Sequence, residues 1–248
     1  FSLRKNKCVT QIIIIGPLIK NRQTNYKNIE ILYIQSYKKP TICLNIALKK
    51  VNQEYVLFYT NDLYLNIDNG IDYLFKKQIE SPDKLFSCVY TIEKKLVYDF
   101  QKIKINNNNI NLPFAPIVKM KEIKDFNFID EIFITSFWDI DLYLKLIFFH
   151  KKEVVYTFVS LDEDKNIAKS AGLFSYYGFV DKQLLFEKWS PYFTKGELKI
   201  NSFKSFSGHW KSVNKFIFYI LNLGFIKLAI AKLLFKEIIS LKLVGFFL

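Results

Sequence analysis

Asp62 stands where the apolar run Glu54-Tyr-Val-Leu-Phe-Tyr-Thr-Asn-Asp-Leu-Tyr-Leu65 breaks into a short polar turn. The run reads as a buried strand that delivers a lone carboxylate to its carboxyl end, the end at which open α/β sheets bind ligands. A carboxylate there suits a hard divalent cation, which prefers oxygen ligands. The structural alternative is ordinary Asn-Asp turn chemistry at Asn61 and Asp62. Far downstream, Ser136-Phe-Trp-Asp-Ile-Asp-Leu142 brings two more acids. Asp139 follows Ser136 by three residues, the capping pattern that opens a helix. Asp141 lies two residues further and so points away from Asp139 around that helix; only one of the pair faces a reaction centre. Asn45, on the apolar segment Pro40–Lys50, reads from the residues alone as a polar side chain that bonds a nearby backbone group.

Other chemistries are poorly provided for. Cys8, Cys43 and Cys88 are far apart, each among apolar neighbours, and read as small buried hydrophobes in a reducing compartment. Two histidines and no Cys-x-x-Cys argue against structural zinc. The balance of 36 Lys+Arg against 23 Asp+Glu gives a net charge of +13, which favours acidic headgroups, nucleotide phosphates or nucleic acid. Because the lysines are scattered and no nucleic-acid-binding signature accompanies them, nucleic acid is not the expected partner.

The elements that must position these residues follow from periodicity. With 50% hydrophobic and 24% charged residues, the 248-residue chain suits one full-sized domain, residues 1–200, followed by a basic and apolar helical tail, 201–248. Gln11–Ile15 is a β-branched run stopped by Gly16-Pro17, a buried strand ending in a turn. Ile29–Gln35 predicts a second strand, and Pro40 the first residue of a helix with Ile42, Ile46 and Ala47 against the sheet. Leu65–Glu80 predicts a helix. Leu85–Tyr90 and Leu96–Phe100 predict strands joined by a turn near Glu93-Lys94-Lys95, and Ile105–Ile110 reads as a solvated loop that supports no core. Ser136 is expected to open a helix that buries Leu142, Leu146 and Phe149, and Val154–Ser160 reads as the last strand of the sheet.

These stretches, in this order and spacing, resemble glycosyltransferase family 2, the inverting sugar transferases of the GT-A fold. The likeness runs from about Val9 to Val159. Asn45 and Ala47 match the family's first helix and Glu54–Phe58 its strand. Asp62 falls on the second acid of the DxD-type turn, Asp130-Glu131 on its "DE", and Trp138-Asp-Ile-Asp-Leu142 on its "eDvDL". The chain departs from the pattern at Thr60, where the first DxD acid belongs, at Gly16-Pro17, where an acid contacts the base, and after Ser160, where a His is common.

The resemblance implies an α/β fold, a Rossmann-like, mostly parallel sheet flanked by helices, entered after its usual first strand and helix, with Phe1–Lys7 as the remnant of that helix. It implies a nucleotide-sugar donor near Gly16, Asn45, Asn61 and Asp62, with Mg²⁺ or Mn²⁺ held partly by Asp62. A glycan or lipid-linked acceptor would lie near Pro113, Phe114 and Trp138, with Asp139, ahead of Asp141, as the general base. The tail's apolar runs from Phe216 to Leu248, interrupted by lysines, are too short to span a bilayer, and they must be buried on the domain, on another subunit, or in the membrane interface at the cytoplasmic face with the lysines on acidic headgroups. The alternatives are a non-catalytic sugar- or partner-binding relative, and a basic membrane-surface protein whose likeness is accidental.

Overall fold

The computed structural model describes residues 5–16, 19–36, 38–60, 63–96, 102–163 and 172–196, with side chains from 180 to 193 in the last stretch. The strand and helix order is β1 (Gln11–Gly16), β2 (Arg22–Tyr26), β3 (Ile29–Gln35), α1 (Pro40–Leu48), β4 (Tyr55–Leu57), β5 (Leu63–Leu65), α2 (Gly70–Glu80), β6 (Lys84–Ile92) and β7 (Lys95–Leu96). There follow β8 (Lys102–Ile105), β9 (Asn108–Asn111), β10 (Ile117–Lys119), α3 (Met120–Asp125), α4 (Trp138–Phe148), β11 (Glu153–Glu163) and α5 (Gly172–Trp189). The tail, 201–248, lies outside the described residues.

The fold is mixed α/β, and its sheets are mixed as well. β1 pairs with β3 and β6 with β11 in parallel, whereas the pairs β2/β3, β4/β10, β5/β11, β6/β7 and β8/β9 are antiparallel. The expected mostly parallel sheet is thus corrected. Short connections close β2/β3, β6/β7 and β8/β9 as hairpins, whereas β4/β10 and β5/β11 are antiparallel across long connections. Sheet order is β1-β3-β2 in one sheet and β5-β11-β6-β7 in another, with β10-β4 and β8-β9 as separate pairs. The Gln11–Gly16 strand, expected to be buried, is half-exposed along its whole length because it lies at the edge of its sheet.

Turn chemistry explains a second correction. Asn106 and Asn107 both take positive φ, 45° and 67°, as a two-residue hairpin turn requires and as Asn tolerates. The polar run is therefore the tip of the β8–β9 hairpin, and Ile105 and Ile110 on either side of it are buried in the core. Glu93 and Lys94, φ 50° and 63°, turn the β6–β7 hairpin where a turn was expected.

Two apolar clusters fill the interior. One packs Leu142, Leu144 and Leu146 of α4 against Leu185 and Trp189 of α5, with Ile105 and Phe133 nearby. The other packs Ile71 and Leu74 of α2 against Phe86 and Cys88 of β6 and Val159 and Leu161 of β11.

Instead of forming a sheet strand, residues 5–8 lie on α2. That helix begins after Asn69 in a left-handed conformation with no side-chain cap of its own. Asn6 Oδ1, from far away in sequence, accepts the free amides of Ile71 (2.9 Å) and Asp72 (3.3 Å), and the Asp72 carboxylate in return accepts the amides of Lys7 (2.9 Å) and Cys8 (2.7 Å). Asn6→Ala is expected to cost about 1 kcal/mol, the usual value of a helix cap. Chemical denaturation checks this; an unchanged midpoint would show that α2 needs no cap from Asn6.

Candidate functional site

The segment from Ile129 to Phe137 joins α3 to α4 and takes part in no sheet. A buried backbone without a ladder must find partners elsewhere. It finds carbonyl partners on α1. Thr41 Oγ1 donates to Phe133 O at 2.6 Å, Asn45 Nδ2 to Ile129 O at 2.9 Å, and Lys39 Nζ to Glu131 O. Asn45 Oδ1 also accepts the Ile129 amide at 3.0 Å, and its Nδ2 reaches Glu131 Oε1 at 2.9 Å. Of the two readings of Asn45, the geometry is that of the backbone partner: its amide group is committed to the loop.

Amide partners come from α5. The Asp181 carboxylate, fully buried, accepts the N–H groups of Ile134 (2.9 Å), Thr135 (2.8 Å) and Ser136 (2.9 Å). Burial pushes its pKa up, and the three amides together with Lys39 only partly offset that. Because Ser136 is taken by Asp181, it does not cap the helix. Phe137 precedes α4 instead, in a left-handed conformation (φ 60°) with no side-chain cap. The expected Ser136 capping box is replaced by a contact across the fold.

Asp141 lies at the centre of a buried ion cluster. Its Oδ1 receives Lys188 Nζ at 2.6 Å and Trp189 Nε1 at 2.9 Å, and its Oδ2 receives Lys145 Nζ, one helical turn on, at 2.7 Å. Lys188 also meets Asp130 Oδ2 at 2.8 Å. Asp141 is 1% exposed and Lys145 2%. Burial alone would raise the Asp141 pKa, but Lys145 and Lys188 outweigh it and hold the carboxyl below its ordinary value. Burial lowers the Lys145 ammonium, while Asp141 and Asp130 hold Lys188 above its ordinary value despite burial. With its oxygens occupied, Asp141 is a structural anion.

Asp139 is different. It sits in the first turn of α4, half-buried, with no cation within salt-bridge distance among the described residues. Burial raises its pKa, and the amides of Ile140 and of Asp139 itself only partly counter this. Tyr143, one turn further and buried, has its phenol pushed well up by burial first and then by its nearness to Asp139 and to Cys88. Trp138 meets Phe58, just past β4, edge to face at 5.0 Å, so the start of α4 is packed against the end of that strand. Asn61 and Asp62, three and four residues past Phe58, lie outside the described residues.

The other expected site residues are dispersed. Pro113 is buried, and Phe114 packs on Tyr90 at 4.8 Å while its carbonyl accepts the Cys88 amide at 2.9 Å, which brings this segment toward Tyr143 by way of Cys88. Gly16 ends β1 beside open space: a Cβ built there would meet nothing within 4 Å. Asp162, where a His was expected, holds the β6–β7 turn, accepting Thr91 Oγ1 at 2.7 Å and the Lys94 amide at 2.8 Å. Among the described residues no three His, Cys, Asp or Glu side chains converge to hold a metal ion.

Sequence reading missed Asp181, Lys188 and Trp189. Their signal was present: the three fall with Leu185 at helical spacing on one stripe of α5, so two charges sit on an apolar face. Charges on that face need buried partners.

No family model matches the chain, and no curated protein does. Solved structures that resemble it include two of one protein. One is S. aureus TarS 1-349 in complex with UDP, 16% identical with a TM-score of 0.46, the match covering 65% of this chain and 54% of that one. The other is S. aureus TarS, 14% identical with a TM-score of 0.45, covering 65% of this chain and 33% of that one. This chain thus matches about half the length of the first and a third of the second.

Removing one partner of the ion cluster strands the others. Asp141→Asn is expected to cost about 3–5 kcal/mol near neutral pH, as when a buried pair is broken. The Asp141 contribution is present above the ordinary value of 3.8 and is lost as pH falls through the depressed folded value, so the gap between variant and wild type must narrow in acid. Urea unfolding at several pH values reads this directly, and a gap that stays constant into acid rules out the ionised cluster as its source.

Proposed function

We propose that this chain is a glycosyltransferase that moves a sugar from a nucleotide-sugar to a hydroxyl of a glycan or lipid-linked acceptor with inversion, and that Asp139 is the general base. The observation that carries this reading is the contrast between the two acids of α4. Asp141 is consumed by Lys145, Lys188 and Trp189, whereas Asp139 has no cationic partner among the described residues and is only half-buried. A base needs a free lone pair and a pKa moved toward the working pH, and burial moves Asp139 in that direction.

In the single displacement, the acceptor oxygen forms its bond to the anomeric carbon as the bond to the diphosphate breaks, and the hydroxyl proton passes to Asp139. The share of the protein is positioning: the loop before α4 is fixed from α1 and from α5, and Trp138 is fixed on Phe58. Mg²⁺ or Mn²⁺, held partly by Asp62, would supply neutralisation of the departing diphosphate. The acceptor lies along Trp138 and Phe114, and the donor toward Gly16 and the turn after β4. Residues 216–248 seat the protein peripherally on the cytoplasmic face of an acidic membrane. No helix among the described residues is long and apolar enough to cross a membrane.

A thermal-shift screen of UDP-, GDP-, ADP- and dTDP-sugars with and without Mn²⁺ tests donor binding, since a ligand bound only by the folded state raises apparent stability. Stabilisation by none of them overturns the reading. Asp139→Asn should keep the stabilisation by the donor and lose about 10²- to 10⁴-fold in transfer, the usual contribution of a positioned base. Because the Asp139 pKa is raised and the ionised form is required, the acid limb of the wild-type rate must lie above the ordinary carboxylate value of 3.8. Near-normal turnover by Asp139→Asn removes this residue from the mechanism.

A further inference from the structure

Phe137 is a bulky residue held at φ 60°, directly before the helix that carries Asp139. Such a conformation is strained for a bulky side chain and persists only where the surroundings over-determine it. The immediately preceding amides of Ile134, Thr135 and Ser136 all converge on one carboxylate, Asp181. Phe137 O then accepts the Asp141 amide at 2.9 Å, the first hydrogen bond of α4. The three amides, the left-handed turn and the first helical bond therefore follow one another without a free joint. Lys188 and Trp189, on the same stripe of α5, grip Asp141 one step further along.

Resting on the catalytic reading of Asp139, we infer that Asp181 is a positioning residue: by gathering the amides of Ile134, Thr135 and Ser136 it fixes the turn at Phe137 that sets where the Asp139 carboxylate sits. An ordinary core contact would hold the loop near α5 without fixing its direction. A carboxylate that receives three successive amides fixes the orientation of three peptide planes. The acid has a partner in this: Lys39 at the start of α1 is near enough to lower the Asp181 pKa, so α1 and α5 act on the same loop together. Around Asp139 the facing titratable groups are Tyr143 and, beyond it, Cys88, and neither is cationic at neutral pH.

The test reads Asp139 directly and needs no ligand. In protein carrying ¹³C-labelled aspartate, with Asp139→Asn identifying the signal, the titration of Asp139 is followed in wild type, Asp181→Asn and Asp181→Glu. Asp181→Asn keeps the shape, but its amide group turns donors toward a donor, so at least one loop amide loses its partner. The Asp139 midpoint should then move down toward the ordinary carboxylate range as the turn loosens and water enters. Asp181→Glu keeps the charge but displaces the three amides, so the midpoint should move there as well, and this variant decides the matter if Asp181→Asn does not fold. Turnover of the UDP-, GDP-, ADP- and dTDP-hexose panel should fall by about 10²-fold in a folded variant, the scale of a displacement of about 1 Å, while stabilisation by the bound nucleotide-sugar is retained. Folded variants whose Asp139 titrates as in wild type overturn the inference. A shifted titration in a protein whose wild type transfers no sugar supports the positioning role and overturns the catalytic reading alone.

Discussion

The site depends on one constraint: the backbone from Ile129 to Phe137 is largely buried yet pairs with no strand. An unpaired amide or carbonyl in such a place costs about 1–3 kcal/mol, so the loop can exist only where other elements bring donors and acceptors to it. Helix α1 brings donors, Lys39, Thr41 and Asn45, to its carbonyls. Helix α5 brings an acceptor, Asp181, to its amides. The division matches the chemistry of each side chain, since an ammonium and a hydroxyl can donate where an ionised carboxylate can only accept.

The ion cluster around Asp141 does related work from beneath. Two carboxylates, Asp130 before the loop's midpoint and Asp141 after its end, are linked through Lys188, so both ends of the segment are tied to the same residue of α5. Buried ion pairs of this kind add little to stability compared with a well-packed apolar core, and their value lies in geometry. They do fix which acid is committed to cations. Lys145 and Lys188 draw in Asp141, while Asp139 meets no cation among the described residues, so the neighbouring acids of one helix have opposite shifts: Asp141 down, Asp139 up. Acids separated in this way by their surroundings are the usual pattern where one is structural and the other is available for proton transfer.

The sequence by itself determined the local elements whose signals are local. The β-branched run at Gln11–Ile15, the alternation at Ile29–Gln35, Pro40 at a helix start and the turn at Glu93-Lys94 all appear where the pattern puts them. It also singled out the acids of α4, and spacing alone said that they point apart. The tertiary structure decided what depends on distant partners. Asn6 caps a helix that starts more than sixty residues later, as its hydrogen bond spans 65 positions, and no local window contains both ends. Ser136 matches a capping box, but a carboxylate from 45 residues downstream competes for its amide and moves the helix start to Trp138. The Asn-rich run failed as a loop because two positive-φ asparagines form a tight turn and let the flanking isoleucines reach the core. That Asp141 is the acid paired with Lys188 and Trp189 of α5 was decided in the same way, since periodicity orders side chains around one helix and carries no information about the charges that another helix brings to it.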